Sequence, residues 1–128
     1  MYENNTFLRL RRPRAQHWYS IGMGRSRFDI SLTVNTEINR FGCEIYMRGD
    51  KTKKAFALLR SEQEKIEDEI GVNLDWHELS EGQDCRIILY SEGDIRDKSK
   101  WGDYFQGFQE HAEKFHAAFS DRIKRLKI

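Results

Sequence analysis

Residues 28 to 35 alternate without a break. Phe28, Ile30, Leu32 and Val34 are apolar, and Asp29, Ser31, Thr33 and Asn35 between them are polar. In an extended chain, side chains point to opposite faces with a period of two, so this run has one face for a core and one for water. That pattern calls for an antiparallel sheet with one solvated face. It argues against a parallel sheet covered on both sides, whose strands read as apolar throughout. Residues 41 to 48 repeat the pattern, with Cys43, Ile45 and Met47 on one side and Glu44, Tyr46 and Arg48 on the other. His17 to Met23 is aromatic and β-prone and reads as a first strand, and Gly22 and Gly24 around Met23 predict a bend. Val72, Leu74 and Trp76 form a short strand. Cys85 to Tyr90 is more continuously apolar and reads as a central one.

Two segments have helical periodicity instead. The first runs from an Asp50 N-cap to Ile70 and stops at Gly71, with Ala55, Phe56, Leu59, Ile66 and Ile70 as its stripe. The second starts at Trp101, after a charged loop over 91–100, with Asp97 or Ser99 as its cap. Trp101, Phe105, Phe108, Ala112, Phe115, Phe119, Ile123 and Leu126 recur at steps of three or four, a single apolar face over 26 residues. The order is β-β-β-α-β-β-α. It predicts a two-layer α+β fold, a mainly antiparallel five-stranded sheet with both helices on one face. At 128 residues the chain has the length of one domain. Residues 1–16, with Pro13 as the only proline, read as a basic arm ahead of a domain over 17–128.

Several classes are set aside by what the chain lacks. No run approaches the roughly 18–20 apolar residues of a membrane helix, and the N-terminus has no signal-peptide pattern, so a cytoplasmic protein is expected. Cys43 and Cys85, each at an apolar strand position, read as buried thiols. Glu113-x-x-His116 has the spacing of half a di-iron site, without a second half. His111 and His116 are five apart, not the four of a helical zinc pair. Asp29 and Glu44 fall on neighbouring strands, as the carboxylates of a Mg²⁺-dependent nuclease would. The lysine that positions the water is missing after Glu44, which leaves a degenerate nuclease-like site as the weaker reading. No nucleophile elbow is present. Neither catalytic residues nor a cofactor are therefore assigned.

Charge placement says more than total charge. The net charge of +1 divides into +4 over residues 1–48, from eight arginines and four acids, and −3 over the rest. From Arg9 to Arg27 there are six arginines and no acid, interleaved with Trp18 and Tyr19. Guanidinium forks suit phosphates, and aromatic rings stack on bases. Arg11, Arg12, Arg14, Arg25, Arg27 and Arg48, with Trp18 and Tyr19, are the candidate nucleic-acid or anion contacts. The long aromatic helix offers a second reading, a homodimerisation or protein-interaction module.

Longer motifs point to a family. Gln16-His17-Trp18-Tyr19-Ser20-Ile21-Gly22, Arg25-Ser26, Ile30-Ser31-Leu32 and Gly42 to Gly49 occur in that order. Trp76, Arg86-Ile87, the Gly93-Asp94-Ile95 loop before Trp101, and Phe115 with the 119–126 ending follow. Together they resemble the bacterial and archaeal domain of unknown function numbered 4268, over residues 14–126. In that family the domain often follows a region resembling restriction- or repair-type nucleases, which this chain lacks ahead of the match, as a stand-alone member or a piece cut at a boundary would. The resemblance implies a setting in nucleic-acid processing or defence, with DNA, RNA or a nuclease as partner. It carries over no catalytic residue.

Overall fold

The alternating run is a strand over its full length in a computed structural model of the chain, which describes residues 16–78 and 84–128, and the backbone alone for 16–19. The strands are β1 (Gln16–Gly22), β2 (Phe28–Asn35), β3 (Arg40–Met47), β4 (Asp75–Glu78) and β5 (Cys85–Glu92). The helices are α1 (Thr52–Arg60), α2 (Gln63–Ile70) and α3 (Trp101–Lys124). The sheet order is β1-β2-β3-β5-β4, with every neighbouring pair antiparallel. The first three strands form a meander. The chain then passes through α1 and α2 to the far edge, and β5 inserts between β4 and β3. An interior place explains why β5 reads as nearly continuous apolar sequence, although β3 is the middle strand.

One face of the sheet carries the core. Phe28, Ile30, Leu32 and Val34 of β2 and Phe41, Cys43, Ile45 and Met47 of β3 are all buried. They join one cluster with Phe56 and Leu59 of α1, Ile66 and Ile70 of α2, and Phe108, Phe115, Phe119 and Ile123 of α3. The stripe of α3 is thus largely covered by this chain's own sheet and helices, with Trp101 and Phe105 half-buried at its start.

The expected single helix over 50–70 is two helices. In a continuous helix the seven-residue gap between Leu59 and Ile66 would place Glu62 and Gln63 on the apolar stripe. The chain breaks there instead, and the Ser61 hydroxyl donates to the Leu58 carbonyl at 2.6 Å. Arg122 of α3 closes the break, donating to Glu62 Oε1 at 3.0 Å and with two nitrogens to Glu69 at 3.0 and 2.7 Å. These carboxylates hold the guanidinium above its ordinary pKa, and the Glu69 carboxyl falls below its own, through the hydrogen bonds from Arg122. Glu62 and Glu69 are 43% and 49% exposed, so water screens the network. Arg122→Met is expected to cost about 1–2 kcal/mol in urea unfolding, with the loss shrinking as salt rises.

Other boundaries move for identifiable reasons. Lys51, not Asp50, is the N-cap residue of α1, and no side chain caps it. The short strand expected over 72–76 lies at Asp75–Glu78. Glu67 holds the chain before it, accepting from the Leu74 amide at 2.9 Å and the Trp76 indole at 3.1 Å. The loop expected over 91–100 is shortened at both ends. β5 extends to Glu92, and Lys98–Lys100 form a 3₁₀ turn whose Ser99 amide donates to Asp97. The cysteines are free and buried. Cys43 pairs with Leu89 and Cys85 with Met47 on the same ladder, four positions apart. That separation is about 13 Å, well beyond disulfide reach.

Candidate functional site

The second face of the sheet is polar. Alternation puts Asp29, Ser31 and Thr33 of β2 there, with Arg40, Glu44 and Tyr46 of β3 and Arg86, Ile88 and Tyr90 of β5. The helices pack on the opposite face. Asp29 stands directly across from Tyr46, and Tyr46 across from Arg86, so these three make one row. Arg48, just past β3, forms an ion pair with Asp29. Its guanidinium carbon lies 5.7 Å from the Tyr46 ring centre, and that of Arg86 lies 5.3 Å away. The Tyr46 hydroxyl donates to Asp84 at 2.5 Å. Partial burial, then that carboxylate, hold the phenol above its ordinary pKa. At the other end of the face, Arg40 stacks on Tyr90 at 3.7 Å.

Arg27 joins this site through the backbone. It lies in the β1–β2 turn with φ of 74°, in the left-handed region that non-glycine residues seldom adopt. Its carbonyl accepts from the Arg48 amide at 3.0 Å. Its guanidinium lies over Gly49, with Nη1 2.5 Å from where a β-carbon would stand, although that side-chain end could move aside. Gly49 itself has φ of 103°. Arg27 and Arg48 are both exposed, and exposed Lys51, Lys53 and Lys54 follow at the start of α1.

Arg25 is engaged elsewhere. Its Nη1 donates to the carbonyls of Ile123 and Leu126, both at 2.8 Å, and so caps the end of α3. Carbonyls at a helix C-terminus lack intrahelical partners and favour a cation. Arg25 therefore holds the turn that carries Arg27. Trp18 and Tyr19 lie on β1, where the register slips between His17 and Tyr19. Arg11, Arg12 and Arg14 lie outside the described residues, as do the side chains of Trp18 and Tyr19.

Asp29 and Glu44 share the polar face as expected, in adjacent rows. Asp29 is held by Arg48, and buried Glu44 by Arg86 Nε at 3.5 Å. Among the described residues, no group of three His, Cys, Asp or Glu side chains could hold a metal ion. Cys43 lies behind Glu44 on the core side. Burial, then the Glu44 charge, push its thiol far up, which makes it a poor nucleophile. No helix among the described residues is long and apolar enough to cross a membrane.

Tyr46, Arg86 and Tyr90 are not among the contacts expected from sequence, although the alternation there puts Tyr46 on the polar side of its strand. Strand parity carries the signal. Once Cys85 and Ile87 face the core, Arg86 must share a face with Glu44 and Tyr46.

The family model described as domain of unknown function DUF4268 matches residues 2–123. The chain belongs to that family. No curated protein and no solved structure matches it. The DUF4268 match takes in both the polar face and residues 2–15, so the arginine-rich segment lies within the family's extent.

Proposed function

We propose that this DUF4268 domain is a non-catalytic accessory module that binds nucleic acid. Arg27 and Arg48 contact phosphates, and Tyr46, held between Arg48 and Arg86, offers a ring for a base. Arg11, Arg12, Arg14, Trp18 and Tyr19 extend the contact surface from the N-terminal side. The setting is prokaryotic nucleic-acid processing or defence, where a nuclease would supply the chemistry.

The observation that supports this reading is the left-handed backbone at Arg27. A glycine there would relieve strain of order 1 kcal/mol. An arginine at such a position, with its guanidinium laid over Gly49 and its carbonyl bonded to the Arg48 amide, is more than folding asks for. Backbone strain of this kind gathers at functional sites.

Titration of a fluorescein-labelled 20-nucleotide single strand by anisotropy tests it. Binding in low salt is expected to weaken with a log–log slope of about −2 to −4, for three to five phosphates neutralised. Arg27→Gly is expected to stay within about 1 kcal/mol of the parent in stability. It should still bind the strand 3- to 10-fold more weakly, with a slope shallower by about 0.7. Failure of the parent to bind DNA or RNA, or full affinity in Arg27→Gly, would overturn the reading.

A further inference from the structure

On the helix-bearing side of the sheet, a cavity of about 170 Å³ lies between the first turns of α3 and the ends of β3 and β5. Its floor is apolar, with buried Leu32, Phe41 and Cys43 from the sheet and buried Phe108 from the helix. It opens to solvent at Ser91, Glu92 and Asp103, which are exposed. Its wall on α3 is the row Asp103, Gly107 and His111, spaced four residues apart and so on one face of the helix. The helix rises about 12 Å from Asp103 to His111, so a carboxylate and an imidazole stand at the two ends of a gap. Gly107 makes that gap. Glycine is among the poorest helix formers, and here it occupies the interior of a 24-residue helix. It is not among the glycines with positive φ, and a β-carbon there would meet no atom within 4 Å. Neither backbone conformation nor packing asks for glycine at this position. A larger side chain would stand between Asp103 and His111 and fill the cavity.

We propose that this cavity binds a small arylalkyl amine, one aromatic ring on a short chain that ends in an ammonium group. Size sets the body of the ligand. A cavity of roughly 150 Å³ takes a benzene ring, so this one holds a ring with a short chain. Leu32, Phe41 and Phe108 give the ring an apolar and aromatic bed. Charge sets the head group. The described lining carries two carboxylates, Glu92 and Asp103, and no lysine or arginine. An ammonium group at the open end donates charge-assisted hydrogen bonds to these carboxylates, whereas a carboxylate or phosphate there meets like charge. Burial, then the Lys114 charge, lower the His111 pKa, so its ring is neutral near pH 7 and does not repel a cation. The site lies across the sheet from Tyr46 and Arg86, and the inference stands whether or not nucleic acid binds.

Titration of the ¹⁵N-labelled full chain with 2-phenylethylamine tests it. Amide shifts are expected to centre on Gly42, Gly107 and His111 and to saturate with a Kd of about 1 mM or tighter. 3-Phenylpropionate has the same ring and chain but ends in a carboxylate, and it should bind roughly fivefold or more weakly. Gly107→Leu fills the cavity and favours the helix. It is expected to weaken amine binding about tenfold or more while the thermal midpoint holds or rises. The double variant Glu92→Gln with Asp103→Asn changes exposed positions and keeps the shape of the cavity. It should weaken the amine about three- to tenfold and leave the acid no weaker. The absence of a saturable shift around the cavity overturns the proposal, as does equal affinity for the acid. Unchanged amine affinity in the double variant, or in a folded Gly107→Leu, overturns it as well.

Discussion

Phe115→Ala is expected to lower stability by about 3–5 kcal/mol. Phe115 is fully buried in the middle of α3, and its ring lies 5.5 Å from that of Phe119. The helix faces β2 and β3, whose strands are hydrogen-bonded on both sides and hold their positions. A truncated side chain therefore leaves a cavity that the surroundings cannot close, and the loss includes cavity as well as transfer energy. Domains of this kind have roughly 5–15 kcal/mol in all, so this one change removes a large fraction. Urea unfolding should show a lower midpoint with an unchanged slope. His116→Ala, on the exposed side of the same helix, should stay within about 0.5 kcal/mol. A Phe115→Ala loss under 1 kcal/mol would contradict the packing of α3 on the sheet.

The parts of the fold that rest on periodicity were legible in the sequence. β2 and β3 have unambiguous alternation, and α3 carries a stripe with no interruption, so their faces could be assigned residue by residue. What escaped depends on contacts distant in sequence. Nothing local announces that α1 and α2 separate at Ser61, because Arg122 lies sixty residues beyond Glu62. Nothing local places β4 three residues late, since Glu67 fixes it from the preceding helix. The site shows the same division. The polar faces of β2 and β3 were readable, and with them Asp29, Glu44 and Arg48. Arg25 and Arg27, two apart in one turn, look equivalent in sequence. The end of α3 takes Arg25, and a left-handed backbone presents Arg27. Composition sees only two basic residues there.

Gly93→Ala is expected to cost about 2–3 kcal/mol, although glycine at a strand end usually tolerates a methyl group. Gly93 follows β5, and its amide donates to the Asn39 carbonyl at 2.9 Å. Phe41 and Tyr104 pack over it with ring centres 4.6 Å apart. A β-carbon there would overlap the Phe41 ring and lie 2.7 Å from Tyr104. Neither ring can yield easily. Phe41 is buried, and the Tyr104 hydroxyl accepts from the Asp94 amide at 3.0 Å. The cost is steric, because Gly93 is not among the glycines with positive φ. A smaller neighbour should therefore relieve it. Phe41→Leu alone loses packing, about 1 kcal/mol, yet the double variant should be about 1 kcal/mol more stable than the two losses added together. Strict additivity in that thermodynamic cycle would show that the Phe41 ring is not what excludes a side chain at Gly93. The same cycle run with Tyr104→Leu separates the two rings. That change also removes the acceptor for the Asp94 amide, so its recovery should be smaller than the Phe41→Leu recovery.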